Sequence, residues 1–295
     1  MTNPTYRLLD SKDYERVKQL ALYEIFPEYA QHASRNREDS FDRMMFLRNV
    51  DLALSVGVFV EDKMVAFVMM STGTRNGKKT LYDSGGGVLP EYRGQGIFTQ
   101  MFKFLLPHLK NTGFAQAFIT VKPRSMPESA GRVCEKLGYA HTTNFVNYRL
   151  FSEKEFVPYN IPANISIKQV DQVDWTKHTQ WQKTTPSWER NHGMIRRNEA
   201  NEIVLEAHIE GQFVGYLIGD PRFCKLSWIN VDDHLAAKDI YASLIQHFYN
   251  ISAIKLPRMI NIDTRETTLI NVFGMLGLKP QDEVEELRLD LSTYL

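Results

Sequence analysis

The stretch Val88-Leu89-Pro90-Glu91-Tyr92-Arg93-Gly94-Gln95-Gly96-Ile97-Phe98 decides how this chain is read. It ends a β-rich run, turns through Pro-Glu-Tyr, passes two glycines two positions apart and opens a helix. The helix shows in Ile97, Phe98, Met101, Phe102, Leu105 and Leu109, which share one face at a period of 3.6 residues. The first turn of a helix leaves backbone N–H groups without partners, and the macrodipole makes that end partly positive. Gly94 and Gly96 remove side chains that would screen those donors, and they permit the dihedrals of an N–H cradle. Arg93 adds a positive charge. A lone Gly-x-Gly makes only a tight turn. Between a strand and an amphipathic helix the same spacing is a device for holding a diphosphate.

Working outward, the residue patterns predict strands at 6–9, 53–61, 64–72, 80–89 and 116–121. Helices are expected at 13–26, 40–49 and 128–137, the last stopped by Gly138. Pro107 marks a kink or a frayed end in the helix after the glycine loop. Strands with interleaved helices make this a mixed α/β sheet. Gly73-Thr74-Arg75-Asn76-Gly77-Lys78-Lys79-Thr80 lacks the glycine spacing of a phosphate-binding P-loop and reads as a hairpin turn.

The chain repeats itself. Arg7-Leu8-Leu9-Asp10-Ser11-Lys12-Asp13-Tyr14 is echoed by Lys168-Gln169-Val170-Asp171-Gln172-Val173-Asp174-Trp175. Glu61-Asp62-Lys63-Met64-Val65-Ala66-Phe67 returns as Glu210-Gly211-Gln212-Phe213-Val214-Gly215-Tyr216, and Lys136-Leu137-Gly138-Tyr139 as Met275-Leu276-Gly277-Leu278. Three echoes in one order imply two copies of one fold. The pattern lapses at 151–164, where Pro158 and Pro162 stand among polar residues as in a linker. The expected domains are therefore 1–150 and 165–295, each of ordinary size.

Composition narrows the function. The 295 residues carry 35 Lys and Arg against 35 Asp and Glu, so no net field steers the chain toward nucleic acid or an anionic membrane. Cys134 and Cys224 are too few for a disulfide framework, and the eight histidines have no metal-ligand spacing, so no metal is implied. The polar first ten residues and the lack of a long apolar run point to a cytoplasmic protein. A homodimer stays open.

The motif from Val88 to Ile97 resembles the acyl-CoA-binding motif of the GNAT (GCN5-related N-acetyltransferase) superfamily. Cys134-Glu135-Lys136-Leu137-Gly138-Tyr139 resembles that superfamily's closing helix-to-strand signature. The resemblance is good over residues 5–150 and weak over 165–290. It implies tandem GNAT-like domains and an N-acetyltransferase that moves acetyl from acetyl-CoA to a primary amine of a small molecule, amino acid or peptide. Transfer would be direct, within a ternary complex. It implies that the backbone at Val88 and Leu89 pairs with the pantetheine arm as an added strand. The amides of Arg93, Gly94, Gln95, Gly96, Ile97 and Phe98 would then grip the diphosphate. A Tyr commonly occupies the Cys134 position in relatives with a catalytic acid. Here the thiol either donates a proton or fills a buried helix face. The superfamily's frequent Asn is Pro127, so Ser125 or Ser129 is the expected substitute. Asp83 on the donor strand is the candidate base, with Glu24 and Glu28 as alternatives. A non-catalytic acyl-CoA-binding or interaction module is the competing reading.

Aligning Val231 with Val88 sets Ala236-Ala237-Lys238-Asp239 against Arg93-Gly94-Gln95-Gly96. Asp232 and Asp233 precede them and are expected to cap the helix amides themselves. Ile240, Tyr241, Leu244, Ile245 and Phe248 still mark an amphipathic helix. The second copy is therefore expected to keep the fold and lose the donor site. The stretch 175–191, with Trp181 and Trp188, is expected to form part of a pocket or a partner surface, or to pack the two domains together.

Overall fold

The computed structural model describes residues 3–25, 37–126 and 130–293. It divides into two compact units, Met1–Thr142 with Glu285–Leu295, and Thr143–Val284.

In the first unit the apolar runs form β1 (Thr5–Leu8), β2 (Val50–Val60), β3 (Lys63–Arg75), β4 (Lys78–Val88) and β5 (Gln116–Val121). Neighbours pair antiparallel except β4 and β5, which run parallel. The predicted hairpin turn is present, with Asn76 and Gly77 both at positive φ (52° and 72°) between β3 and β4. Helices α1 (Tyr14–Gln19) and α2 (Arg37–Arg48) precede β2, and α1 continues as a wider π turn at Leu20–Glu24. Helix α3 (Ile97–His108) buries Ile97, Met101, Phe102 and Leu105, the face its periodicity predicts, and runs one residue past Pro107. Helix α4 (Gly131–Lys136) ends as expected at Gly138, whose φ of 87° lets the Tyr139 N–H reach back to the Cys134 carbonyl at 3.0 Å.

The second unit repeats this order. Strands β7 (Ile165–Val170), β8 (Ile203–Ile209), β9 (Gln212–Asp220), β10 (Lys225–Val231) and β11 (Arg258–Asp263) pair antiparallel up to β10, and β10 and β11 are parallel. Helix α5 (His192–Arg197) precedes β8, α6 (Ala237–Ile251) follows β10, and α7 (Thr267–Met275) follows β11. The sequence echoes coincide with structural ones. Leu89 N–H bonds Val65 O at 2.9 Å as Asp232 N–H bonds Val214 O at 2.8 Å. Gly277, at φ 88°, ends α7 as Gly138 ends α4. The fold is mixed α/β in two tandem units of one topology.

The units differ from the sequence halves. The sixth strand of the first sheet is the end of β12 (Lys279–Asp290), with Glu285–Asp290 antiparallel to β5. Its Leu287 and Leu289 join the first unit's core. The sixth strand of the second sheet comes from β6 (Ala140–Arg149), with Phe145 to Arg149 antiparallel to β11. The expected boundary at 150 thus falls at 142, and the last strand of each half belongs to the other unit. The expected linker 151–164 is part of the second unit. Phe156 stacks on Tyr249 at 3.8 Å, and the Tyr159 hydroxyl donates to Asp239 at 2.7 Å. Phe156 and Tyr159 gain more from burial there than prolines and polar neighbours gain from water.

Candidate active site

Strands β4 and β5 pair at Thr80–Gln116, Leu81–Ala117 and Tyr82–Phe118, and then part. From Asp83 to Val88, β4 keeps β3 on one side while its other edge has no partner in β5 among the described residues. Such an edge offers backbone N–H and C=O groups to an extended, amide-bearing ligand. The parting begins at a β-bulge: Met70 faces Asp83 and Met69 faces Gly85, which leaves Ser84 out of register.

At the end of β4 the chain turns through Pro90–Tyr92, and the Arg93 N–H bonds the Pro90 carbonyl at 3.2 Å. Gly94 and Gly96 both have φ of 76°, a conformation that glycine adopts without strain. A Cβ on either would meet nothing within 4 Å, so these glycines border open space. Among the described residues, no protein group accepts from the amides of Gly94, Gln95 or Gly96. Ile97, Phe98 and Thr99 open α3, and the first amides of a helix have no acceptor within it. Six consecutive donors are thus available at the positive end of a helix.

Arg93 does more than lend charge. Its guanidinium donates to Val88 O at 3.0 Å and to Ile25 O at 2.5 Å. It ties the loop to the end of the first helix and keeps its charge beside the six amides. Since its own amide is also taken, Arg93 holds the cradle together and adds no amide donor to it. Leu89 is buried with its amide bonded to Val65 O, so of the expected pair only Val88 lies on the open edge, with its carbonyl already accepting from Arg93.

Asp83 lies where the strands part, 7% exposed, with one carboxylate oxygen accepting the Gly85 N–H at 2.9 Å. Burial pushes its pKa up to about 6, against the pull of that N–H and of the Arg48 cation. Cys134 on α4 is fully buried in the apolar core, and burial, with the nearby Asp83 charge, pushes its thiol up to about 12. That is the environment of a packing residue. Glu24 is bound bidentately by Arg16 (2.5 and 3.1 Å). Ser125 is exposed, while Ser129 and Glu28 lie outside the described residues.

In the second unit the same turn is closed. The His234 N–H bonds the Asp232 carboxylate at 3.0 Å, Ala237 N–H bonds Leu235 O at 2.7 Å, and Asp239 N–H bonds Ala236 O at 2.9 Å. No described residue from 232 to 239 has positive φ. The aspartates do not cap α6 as expected: Asp232 caps the turn, and Asp233 pairs with Lys183 at 2.7 Å. Asp232, Asp233 and His234 bring ligand-type atoms within 4.8 Å of one another, but both carboxylates are already bonded.

Strands β10 and β11 also part, after Lys225–Arg258, but a side chain bridges the gap. Arg190, 5% exposed, donates to Ser227 O on β10 at 3.3 Å and to Asn261 O on β11 at 3.1 Å. Asn261 in turn donates to Glu189 at 3.0 Å. Trp188, 2% exposed, is core in this unit, so none of the roles expected for it, pocket wall, partner surface or packing between domains, is needed to account for its burial. The bridging role of Arg190 and the bulge contact of Arg48 described below have no local sequence signal; both depend on which strands the fold brings together.

Residues 19–139 match the model of the Acetyltransferase (GNAT) family. No curated protein sequence matches the chain significantly. Among solved structures, a putative acetyltransferase from Pyrococcus horikoshii superposes with a TM-score of 0.66 at 14% identity, over 98% of this chain and 90% of that one. A GCN5-related N-acetyltransferase from Sphaerobacter thermophilus gives 0.66 at 15% identity, over 99% and 97%. A tandem GNAT protein from the clavulanic acid biosynthesis pathway gives 0.65 at 14% identity, over 98% and 99%. At these identities the likeness is one of fold, and it spans both units.

Proposed function

We propose that this chain, whose residues 19–139 match the acetyltransferase (GNAT) family and whose two units share that fold, is an N-acetyltransferase acting through its first unit. The donor is acetyl-CoA and the acceptor a primary amine of a small molecule, amino acid or peptide. The observation that carries this reading is the row of six amides from Gly94 to Thr99, next to a strand edge opened at Asp83. A diphosphate matches those donors in charge and geometry, and the bare glycines leave room for it. The open edge of β4 up to Val88 suits the two amides of a pantetheine arm.

Within the ternary complex the amine nitrogen attacks the thioester carbonyl, the C–S bond breaks and coenzyme A leaves as a thiolate. Asp83, directly or through a water, takes the proton that the amine must lose. A carboxylate with pKa about 6 is ionised at neutral pH and more basic than an ordinary one, as a general base should be. Cys134 serves as packing, and the thiolate departs without a residue assigned to protonate it. The second unit retains the fold as a degenerate copy, its turn and its strand gap both occupied by its own groups. The burial of Cys134 favours one alternative, a non-catalytic acyl-CoA-binding module. Free-thiol release from acetyl-CoA across a panel of amines separates the two. Release that depends on an added amine supports the enzyme, and donor binding without release on any amine supports the module.

A further inference from the structure

The bulge at Ser84 is held from outside the sheet. Because Ser84 is out of register with β3, its carbonyl is not needed there, and it accepts from the Arg48 guanidinium at 2.8 Å. Arg48 is the last residue of α2, and the chain leaves that helix through Asn49 at φ 57°. Asn49 is fastened to β3: its side chain donates to Thr72 O at 2.9 Å, and Thr72 N–H donates to Asn49 O at 3.2 Å. Arg48 therefore leaves a fixed helix end and meets the backbone one residue after Asp83.

The second unit supplies an internal control. Its strand β10 carries a bulge at Ser227, between Leu226–Gly219 and Trp228–Ile218, in the register of Ser84. The Ser227 carbonyl also accepts from an arginine, Arg190. The residue before that bulge is Leu226, where the first unit has Asp83. An arginine on the bulge carbonyl thus persists where Leu226 takes the place of Asp83, the nearby carboxylate there being Glu202, which accepts from the Ser227 hydroxyl at 2.9 Å. In the second unit it is spent on bridging two strands, whereas in the first it lies beside a buried acid.

We propose that Arg48 is a positioning residue for the amine transfer, fixing the bulge that presents Asp83 where β4 and β5 part and placing a cation beside its carboxylate. The proposal rests on the reading of Asp83 as the base. Among the described residues, three groups face that carboxylate: the Arg48 cation from α2, the Gly85 N–H on β4 and the neutral Cys134 thiol from α4. Arg48 is the only positive charge among them. Burial opposes ionisation, so the cation keeps Asp83 usable near neutrality.

The test uses the full chain with Arg48→Gln, which keeps a donor for the Ser84 carbonyl but no charge, and Arg48→Lys, which keeps the charge. Asp83 is followed by NMR titration of carboxyl-labelled aspartate, its signal identified by loss in Asp83→Asn. The acid limb of kcat/KM is measured in parallel. In Arg48→Gln the Asp83 midpoint is expected to rise by about half a pH unit or more, with the kinetic limb rising alongside. The acetyl-CoA KM should stay within about two-fold, and Arg48→Lys should restore most of the limb. An unmoved midpoint in folded Arg48→Gln overturns the proposal and leaves the acetyltransferase reading standing. A moved midpoint with an unmoved kinetic limb removes Asp83 as base, and Arg48's role in transfer with it. Absence of amine-dependent release by the wild-type chain overturns the functional reading itself, while the midpoint still reports whether Arg48 acts on Asp83.

Discussion

The two strand-to-helix turns, Gly94–Thr99 and Asp232–Asp239, occupy the same place in two copies of one fold and do opposite things with their backbone. The first keeps six amides unspent by setting two glycines at φ 76°. The second spends its amides on Asp232, Leu235 and Ala236. The neighbouring gaps differ in the same sense. The edge between β4 and β5 is open beyond Tyr82, while that between β10 and β11 is crossed by Arg190. Backbone amides that a chain leaves unsatisfied are free to receive an anion, and those it satisfies itself are not.

The largest way to break the contrast is at the acid that only the first unit has. Asp83→Asn should lower amine-dependent thiol release by about 100-fold or more, the usual range for a lost general base. It should also stabilise the fold. A carboxyl with pKa near 6 when folded and near 3.8 when unfolded is held against its preference at pH 7, at about 1.4 kcal/mol per unit. Removing that charge should raise stability by roughly 1–3 kcal/mol in thermal or urea unfolding. Loss of activity with lost stability would contradict this account of the site.

Next comes the bridging arginine. Arg190→Met should cost roughly 2–4 kcal/mol in urea unfolding, because the carbonyls of Ser227 and Asn261 lose a partner in a buried site. Acetyl-CoA affinity should change less than about two-fold, since the donor site lies in the other unit. A large loss of donor affinity in the folded variant would show that the second unit takes part in binding.

The expectations drawn from sequence were most reliable where one segment carried both pattern and geometry. The loop from Val88 to Ile97, the buried face of α3 and the Gly138 stop all depend on neighbours in the chain, and all three were legible. The strand exchange was not. Nothing local to Phe145–Arg149 or Glu285–Asp290 says which unit each will join, because strand pairing depends on neighbours that only the fold supplies. Contacts such as Arg48 with Ser84, or Arg16 with Glu24, are equally silent in sequence, since long polar side chains choose partners only after the backbone is placed.

A smaller effect follows from Cys134. Replacing it by alanine should leave kcat within about three-fold and cost about 1 kcal/mol, as expected for a small buried apolar group. A loss beyond about 30-fold would restore the thiol as a proton donor.

The mildest contrast is with pH. In the second unit, burial lowers the pKa of His178, His192 and His208. Each takes a proton less readily when folded than when unfolded. Their contribution to stability is therefore whole above the ordinary value of 6.5 and is lost as pH falls below it. Asp83 in the first unit has the opposite sign, its folded pKa of about 6 lying above the unfolded one, so acid relieves it. Hydrogen exchange between pH 7 and 5 should show the second unit loosening first. Equal protection loss in both units would remove this distinction.

The most direct test of the central claim is calorimetric titration of acetyl-CoA into the wild-type chain and into Gly96→Tyr. A Cβ on Gly96 meets no atom within 4 Å, and its φ of 76° costs a tyrosine about 1–2 kcal/mol of backbone strain, which the fold should bear with the ring over the cradle. The account predicts one equivalent bound by the wild type and none detectable in Gly96→Tyr. Two equivalents, no binding by the wild type, or undiminished binding by folded Gly96→Tyr would contradict it.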